Sequence, residues 1–273
     1  MTLHAVHTQT LFGLQVASMT LPEVVDRCRN AIVERQSLLI GVVNAAKIVN
    51  IRRDPALRDS LLECDLILAD GQSVVWASKI LGDPLPERVT GIDLFQALLD
   101  LANAEHRSVY LLGARPEVLA TLVGVISDRY PGLRIAGTRD GYFTDAEAPE
   151  VAAAIRTVAP DMLFLGIVSP KKEIFLGSHG ATLGVPVLHG VGGSFDILAG
   201  ITQRAPESWQ RLGLEWAYRL QQEPRRLWKR YLTTNTRFVL QVLLERIKPT
   251  PPWRPSVPTP PTLSPTRKDH HHA

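Results

Sequence analysis

Short apolar runs separated by amphipathic stretches dominate the chain. Leu38–Val43, Asp65–Ala69 and Met162–Val168 have the pattern of buried strands, and Ser108–Gly113, Leu133–Gly137 and Val185–His189 read as further strands. Between them, apolar residues recur at helical spacing. This predicts helices over Leu21–Arg35 and Ala45–Arg53, one restarting at Pro55, and one running to Leu81 after the Asp70-Gly71 turn. Others follow over Gly91–Asn103, from Pro116 in a first turn, over Ala146–Val158 and over Pro170–Leu183. One more strand is expected around Thr10–Val16 in an otherwise loose start. Strands alternating with helices predict an α/β fold over residues 1–205: a Rossmann-like, mainly parallel sheet with helices on both faces. From Pro206 the strand pattern stops. Helical segments broken at Pro224 make residues 206–248 an appendage. Residues 249–273, rich in proline, read as an extended mobile tail. No internal repeat is visible.

The 273 residues, 45% apolar and 21% charged, suffice for such a domain and its core. Cys28 and Cys64 are too few for a disulfide framework and read as core thiols in a reducing compartment. No apolar run reaches the roughly 18 residues of a membrane span, and no secretory signal pattern opens the chain. A cytoplasmic protein is therefore expected. Charge changes the picture locally. Trp209–Lys248 holds nine Lys/Arg against three Glu, so nine minus three leaves an excess of six positive charges. Trp216, Leu220, Trp228, Tyr231 and Phe238 are interleaved with them. That mixture suits a phosphate-rich partner and, best of all, an anionic membrane surface. A helix packed on the domain with a solvated basic face is the plainer reading. Nucleic acid is disfavoured because no recognisable binding motif accompanies the charge.

Ligands of parallel α/β sheets bind beyond the carboxyl ends of the strands. Asn44, Asp70, Gly113 and Gly190–Ser194 all fall at such ends. In Gly190-Val-Gly-Gly-Ser-Phe-Asp196 the glycines let backbone amides approach an anion, or simply make a tight turn. The loop lacks the Gly-Lys-Ser/Thr of a Walker motif, and the first βα turn lacks a dinucleotide fingerprint. Asp70 could cap the next helix or serve as a general base. Asp196 could cap a helix or bind a ribose or base. Asn44 could be a turn residue or a ligand donor. Tyr142 could stack on a base or pack. Lys171 and Lys172 could meet a pyrophosphate or lie on a solvated helix surface. Glu63-Cys64-Asp65 looks like an acidic metal pair, but it precedes a strand instead of ending one, so no metal site is assigned. The terminal His270-His271-His272 is likewise set aside.

In combination these segments resemble the WecG/TagA/CpsF family of bacterial glycosyltransferases, from about Leu14 to Leu244. The likeness rests on Val43-Asn44, Leu68-Ala-Asp-Gly71 with Trp76, Pro86-Glu-Arg-Val-Thr-Gly-Ile-Asp93 and Leu111-Leu-Gly113. It continues through Asp140-Gly-Tyr-Phe143, Ser169-Pro-Lys-Lys-Glu173, Gly190–Asp196, Arg204-Ala-Pro206 and Glu215-Trp-Ala-Tyr-Arg-Leu220. The resemblance implies an inverting, metal-independent transferase without cofactor. It would move a sugar from a nucleotide diphosphate donor, commonly a UDP sugar, to a lipid-linked saccharide in cell-surface or exopolysaccharide assembly. It also implies contact with the inner face of the cell membrane through the C-terminal part. Carried over by motif, Asp70 is the catalytic base. Asn44, Tyr142, Lys172, Gly192, Gly193 and Asp196 line the donor pocket. Arg219, Arg226 and Lys229 place positive charge near the pyrophosphate or lipid.

Two positions depart from the common pattern. Val42 stands where many members have Thr, which removes a hydroxyl. Lys172 stands where many have Gln, which adds a cation beside the expected diphosphate. The alternative is a non-catalytic regulator that binds nucleotide sugar or phospholipid on the same fold. A dinucleotide-dependent oxidoreductase is weakened by the missing fingerprint. Whether the protein forms a homo-oligomer stays open.

Overall fold

The computed structural model describes residues 6–168, 171–211, 213–222 and 224–254. Within those ranges, the side chains of Glu173, Arg211, Arg219, Arg226, Leu227, Lys229 and Arg230 lie outside the description. The chain opens with an antiparallel hairpin, β1 (Thr8–Leu11) and β2 (Leu14–Ala17), in place of the single strand expected there. Phe12 and Gly13 turn the chain with φ of 53° and 80°, the left-handed pair that a two-residue hairpin turn needs. The phenylalanine at this strained position is buried, and that packing offsets its cost.

Then follow α1 (Leu21–Glu34), β3 (Leu38–Val43), α2 (Ala45–Asn50), α3 (Pro55–Leu62), β4 (Leu66–Ala69) and α4 (Gln72–Leu81). Next come α5 (Gly91–Ala104), β5 (Ser108–Gly113), α6 (Pro116–Arg129), β6 (Arg134–Arg139), α7 (Ala148–Val158), β7 (Met162–Gly166) and α8 (Lys171–His179). A 3-10 turn at Gly180–Thr182, β8 (Val187–Gly190) and α9 (Ser194–Leu198) complete the α/β part. α10 (Glu207–Arg211), α11 (Glu215–Gln222) and α12 (Pro224–Ile247) follow. Helix starts are chemically marked. Thr20 and Glu23 form a capping box on α1, and Asp54 caps α3 just before Pro55.

β3 to β8 form one sheet in the order β4-β3-β8-β7-β5-β6, every neighbouring pair parallel. Side chains alternate between two cores. Leu38, Ile40, Val109, Leu111, Phe164 and Val187 meet helices α1, α5, α6 and α9. Phe95 of α5 centres that layer, with its ring 4.7 Å from Phe164 and 5.6 Å from Phe195. On the opposite face, Leu112, Leu163, Leu165 and Leu188 pack under α7 and α8. Val43, Ile67 and Ala69 pack with α2, α4 and the hairpin.

Phe238 and Val242 of α12 are buried in this last cluster, and Phe12 lies 5.7 Å from Phe238. Beyond α12 the chain is anchored as far as Trp253, although composition alone suggests a mobile tail from 249. The Trp253 backbone N–H donates to Gly13 O at 2.9 Å, and its indole Nε1 donates to Phe12 O at 2.9 Å. Arg58 sits 5.1 Å over the indole ring. Residues 255–273 of the expected tail lie outside the described residues.

Candidate active site

A fully parallel sheet opens all its carboxyl-end loops along one edge. The loop after β3 leads to α2 and α3 on one face, and the loop after its neighbour β8 leads to α9 on the other. A crevice must open where neighbouring connections part in this way. Asn44 and the glycine loop flank it, and Asp70 follows the next strand over.

Asn44 does two jobs. As N-cap of α2 its Oδ1 accepts from the Lys47 amide at 3.1 Å. Its Nδ2 donates to Asp70 Oδ2 at 3.4 Å. Asp70 does not cap α4, whose N-cap is Gly71. Its Oδ1 instead accepts from the Gly91 amide at 3.0 Å. Each carboxylate oxygen is thus held by one donor and keeps acceptor capacity for a further partner.

The glycine loop is built on a short turn. Ser194 N–H and Oγ–H both donate to Val191 O, at 3.1 and 2.7 Å. Gly192 has φ of +53°, where a side chain is strained. Gly193 has an ordinary φ of −77°, yet a Cβ there would meet no protein atom within 4 Å. Among the described residues neither amide has a backbone acceptor. Asp196 stands in the following turn, and its backbone carbonyl accepts from Ile201 and Thr202. It caps nothing, because α9 begins after Gly193.

The two lysines after β7 divide their roles. Lys171 Nζ donates to Gly141 O at 2.8 Å and to Phe143 O, and stands 3.8 Å over the Phe143 ring. It pins the loop that carries Tyr142. The Tyr142 amide donates to Asp140 at 2.8 Å while its ring stands 70% exposed, so the tyrosine does not serve as packing. Lys172 turns the other way and lies over Gly190, where a Cβ would come 3.3 Å from its Nζ. With Lys47, Val42 and Cys64 it lines a narrow cavity of about 30 Å³. Lys47 Nζ donates to Val42 O at 2.8 Å. Burial pushes the thiols of Cys28 and Cys64 up to about 12, although Lys47 and Lys172 pull Cys64 down. Both therefore stay protonated, but only Cys28 is a core thiol, whereas Cys64 is half-buried at the edge of its cluster.

One constellation was not assigned from the sequence. Glu215 of α11 accepts from Arg88 at 2.8 Å and from Arg204 Nε at 3.4 Å. Arg204 Nη1 pairs with Asp93 at 2.6 Å, and Asp93 accepts from the Thr90 hydroxyl at 2.6 Å. Burial acts to raise the Asp93 pKa, but Arg204 and Thr90 outweigh it and hold the carboxyl below its usual range. The chain of pairs ties α11 to the start of α5, and hence to Gly91, the donor to Asp70. Its members stand in segments that the sequence already singled out, but side-chain pairing between them has no local signature.

Of the C-terminal cations, the side chains of Arg219, Arg226 and Lys229 lie outside the described residues. α12 buries Phe238 and Val242 and exposes Leu232, Val239, Leu240, Leu243, Leu244 and Ile247 by more than half. No helix among the described residues is long and apolar enough to cross a membrane. Among the same residues, no group of three or more His, Cys, Asp or Glu side chains is placed so that it could hold a metal ion. Asp65 of the suspected acidic pair accepts from the Leu39 amide at 2.7 Å, at the amino end of the sheet and away from the crevice.

The sequence profile of the glycosyl transferase WecG/TagA/CpsF family matches residues 9–251. The chain belongs to this family. Two relatives share the name N-acetylglucosaminyldiphosphoundecaprenol N-acetyl-beta-D-mannosaminyltransferase. The one from Bacillus subtilis (strain 168) is 34% identical over 239 residues, covering 87% of this chain and 92% of its own. The one from Bacillus spizizenii (strain ATCC 23059 / NRRL B-14472 / W23) is 39% identical over 181 residues, covering 66% and 69%. Membership in the WecG/TagA/CpsF family makes the chain a glycosyltransferase. The crevice lined by Asn44, Asp70 and the glycine loop is its candidate active site.

Proposed function

We propose that this chain transfers an N-acetylhexosamine, N-acetylmannosamine in the first instance, from a UDP donor to a polyprenyl-diphosphate-linked saccharide. The two relatives are named for N-acetylmannosamine transfer to N-acetylglucosaminyl-diphosphoundecaprenol. The observation that carries the reading is Asp70. Its carboxylate is oriented by Asn44 and Gly91 at the carboxyl end of the sheet, beside a glycine loop whose Gly192 and Gly193 amides have no backbone acceptor among the described residues.

The donor diphosphate lies against the Gly192 and Gly193 amides, with Lys172 alongside. Asn44, Tyr142 and Asp196 line the remainder of the pocket, the exposed Tyr142 ring offering a face to the base. Asp70 accepts the proton of the acceptor hydroxyl as its oxygen attacks the anomeric carbon from the face opposite the diphosphate. The C–O bond to the diphosphate breaks with inversion. Charge gathering on the departing UDP is met by the amides and the lysine, a role that divalent metal fills elsewhere. Uncatalysed charge separation in that step is costly, so donors fixed in advance carry much of the acceleration.

The acceptor's lipid places the reaction at a membrane, on its inner face. The apolar stripe of α12 and the basic residues around it suit the headgroup layer of an anionic surface. Through Glu215 the same region holds the start of α5, so docking the C-terminal segment and ordering the pocket belong together. Arg219, Arg226 and Lys229 are assigned to the pyrophosphate or lipid by motif. Exopolysaccharide or another surface polymer is the destination. The test is donor-dependent UDP release with a lipid-diphosphate-linked N-acetylglucosamine acceptor. Loss of that release in Asp70→Asn and its survival in EDTA are the expected outcomes. Binding of donor without turnover over a wide acceptor screen would replace the transferase mechanism with mere recognition.

A further inference from the structure

His189 has no part in the mechanism above, yet it is completely buried in the sheet beside the site. It stands third in β8, opposite Ile40 of β3 and Phe164 of β7, one residue before the glycine loop begins. A buried imidazole is costly unless hydrogen-bonded. Its Nε2 lies 3.1 Å from Gly91 O. A carbonyl only accepts, so Nε2 carries the hydrogen and the tautomer follows. Burial brings the ring's pKa down to about 4, so it is neutral at physiological pH. The charged groups facing it, Lys172 and Asp70, pull that value in opposite directions.

Gly91 is also the residue on which Asp70 leans. It opens α5, so its amide is one of the helix's first N–H groups and lacks an intrahelical acceptor. Asp70 Oδ1 takes that bond at 3.0 Å. The imidazole lies directly beside this turn, since a Cβ on Gly91 would stand 4.0 Å from His189 Nε2.

We infer that His189 is a positioning residue for Asp70: by holding the Gly91 carbonyl it sets where the Gly91 amide meets the carboxylate, and it couples the strand of the glycine loop to the base across the crevice. The inference rests on Asp70 being the base. Two other contacts hold the same segment, Val89 N–H on Ala69 O at 3.0 Å and Arg204 on Asp93. Losing the imidazole therefore shifts the donor without releasing it. A misplacement of about an ångström in a reacting group costs on the order of 100-fold, so a drop of about 10- to 100-fold in kcat is expected.

The test compares His189→Leu, His189→Gln and His189→Asn in the full chain, each also combined with Asp70→Ala. Glutamine carries an N–H about as far out as Nε2, whereas asparagine falls short and leucine has none. Turnover is measured with UDP-N-acetylmannosamine and a lipid-diphosphate-linked N-acetylglucosamine acceptor, UDP affinity by titration calorimetry, and folding by thermal unfolding. The expected result is a fall in kcat for Leu and Asn, recovery to within about threefold for Gln, UDP affinity within about twofold throughout, and no further loss in the Asp70→Ala background. If leucine does not fold, the Gln and Asn pair decides alone. Equal losses in Gln and Asn that track stability would overturn the inference. So would an undiminished effect of His189→Leu on the residual activity of Asp70→Ala. If Asp70→Ala alone keeps full turnover, the base assignment itself fails, and that outcome is distinct from the other two.

Discussion

Gly192 and Gly193 separate a turn from a ligand cradle, because they are glycines for different reasons. Gly192 sits at φ +53°, and an alanine there pays the left-handed penalty of about 1–2 kcal/mol. For a chain of this size that lowers the melting temperature by about 2–8 °C. Gly193 sits at φ −77° with no protein atom within 4 Å of a built Cβ. Alanine there meets no clash and loses only about 0.5 kcal/mol, the difference between glycine and alanine at an N-cap. Nothing in the fold requires glycine at 193. If the donor diphosphate lies against this loop, the added methyl stands where the phosphate must come. Loss of one charge-assisted hydrogen bond, about 1.5–3 kcal/mol, weakens UDP binding by about 10- to 100-fold. Thermal unfolding and calorimetric titration with UDP read the two effects separately. Gly192→Ala should lose stability and affinity together, because its φ is positive and its Cβ also meets only open space, whereas Gly193→Ala should lose mainly affinity. A Gly193→Ala protein that binds UDP as the parent does would show the loop to be a turn and nothing more.

Three further outcomes follow from the packing. Glu215→Ala leaves Arg88 and Arg204 short of their shared acceptor, and the side chains of all three are less than a quarter exposed. After allowance for solvent, about 1–2 kcal/mol of stability should go. Adding Arg88→Ala should cost less than the two single effects together, a non-additivity that denaturation of the four proteins measures. Trp253→Ala removes the indole that covers Gly13 and donates to Phe12. About 2–3 kcal/mol of lost stability is expected, and unchanged stability would show the segment to be merely resting there. His189 sets a pH window. Its folded pKa of about 4 lies below its ordinary 6.5, so the unfolded chain binds the extra proton first. Its share of stability is intact above about pH 6.5 and is lost progressively as pH falls toward 4. Urea midpoints across that range should drop less for His189→Gln than for the parent.

The central strands were legible because both faces of a parallel sheet are covered. β3, β5 and β7 read as near-continuous apolar runs whatever lies around them. The hairpin was not. Its turn hides inside an apolar stretch because buried Phe12 takes a backbone conformation that no local rule assigns to phenylalanine. The anchored segment from Thr250 to Trp253 was illegible for a related reason. Its partners, Phe12 and Gly13, are some 240 positions away, and proline-rich composition points to looseness. In the site, Asn44, Asp70 and the glycine loop announced themselves as polar or glycine positions ending apolar runs. Lys171 and Lys172 are neighbours of one type, and only tertiary structure shows one pinning the Tyr142 loop and the other lying over Gly190. Arg88, Asp93, Arg204 and Glu215 were visible as motif residues without roles, because exposed charge is the ordinary reading of such residues until a partner from another segment arrives.

The most direct measurement is release of UDP or GDP from a panel of nucleotide sugars, with a lipid-diphosphate-linked N-acetylglucosamine acceptor, with and without EDTA, beside Asp70→Asn. Turnover is expected with one donor, UDP-N-acetylmannosamine first, undiminished by EDTA and reduced about 100-fold or more by the substitution. Turnover that Asp70→Asn leaves intact would contradict this expectation, and turnover abolished by EDTA would return the leaving group's charge to a metal.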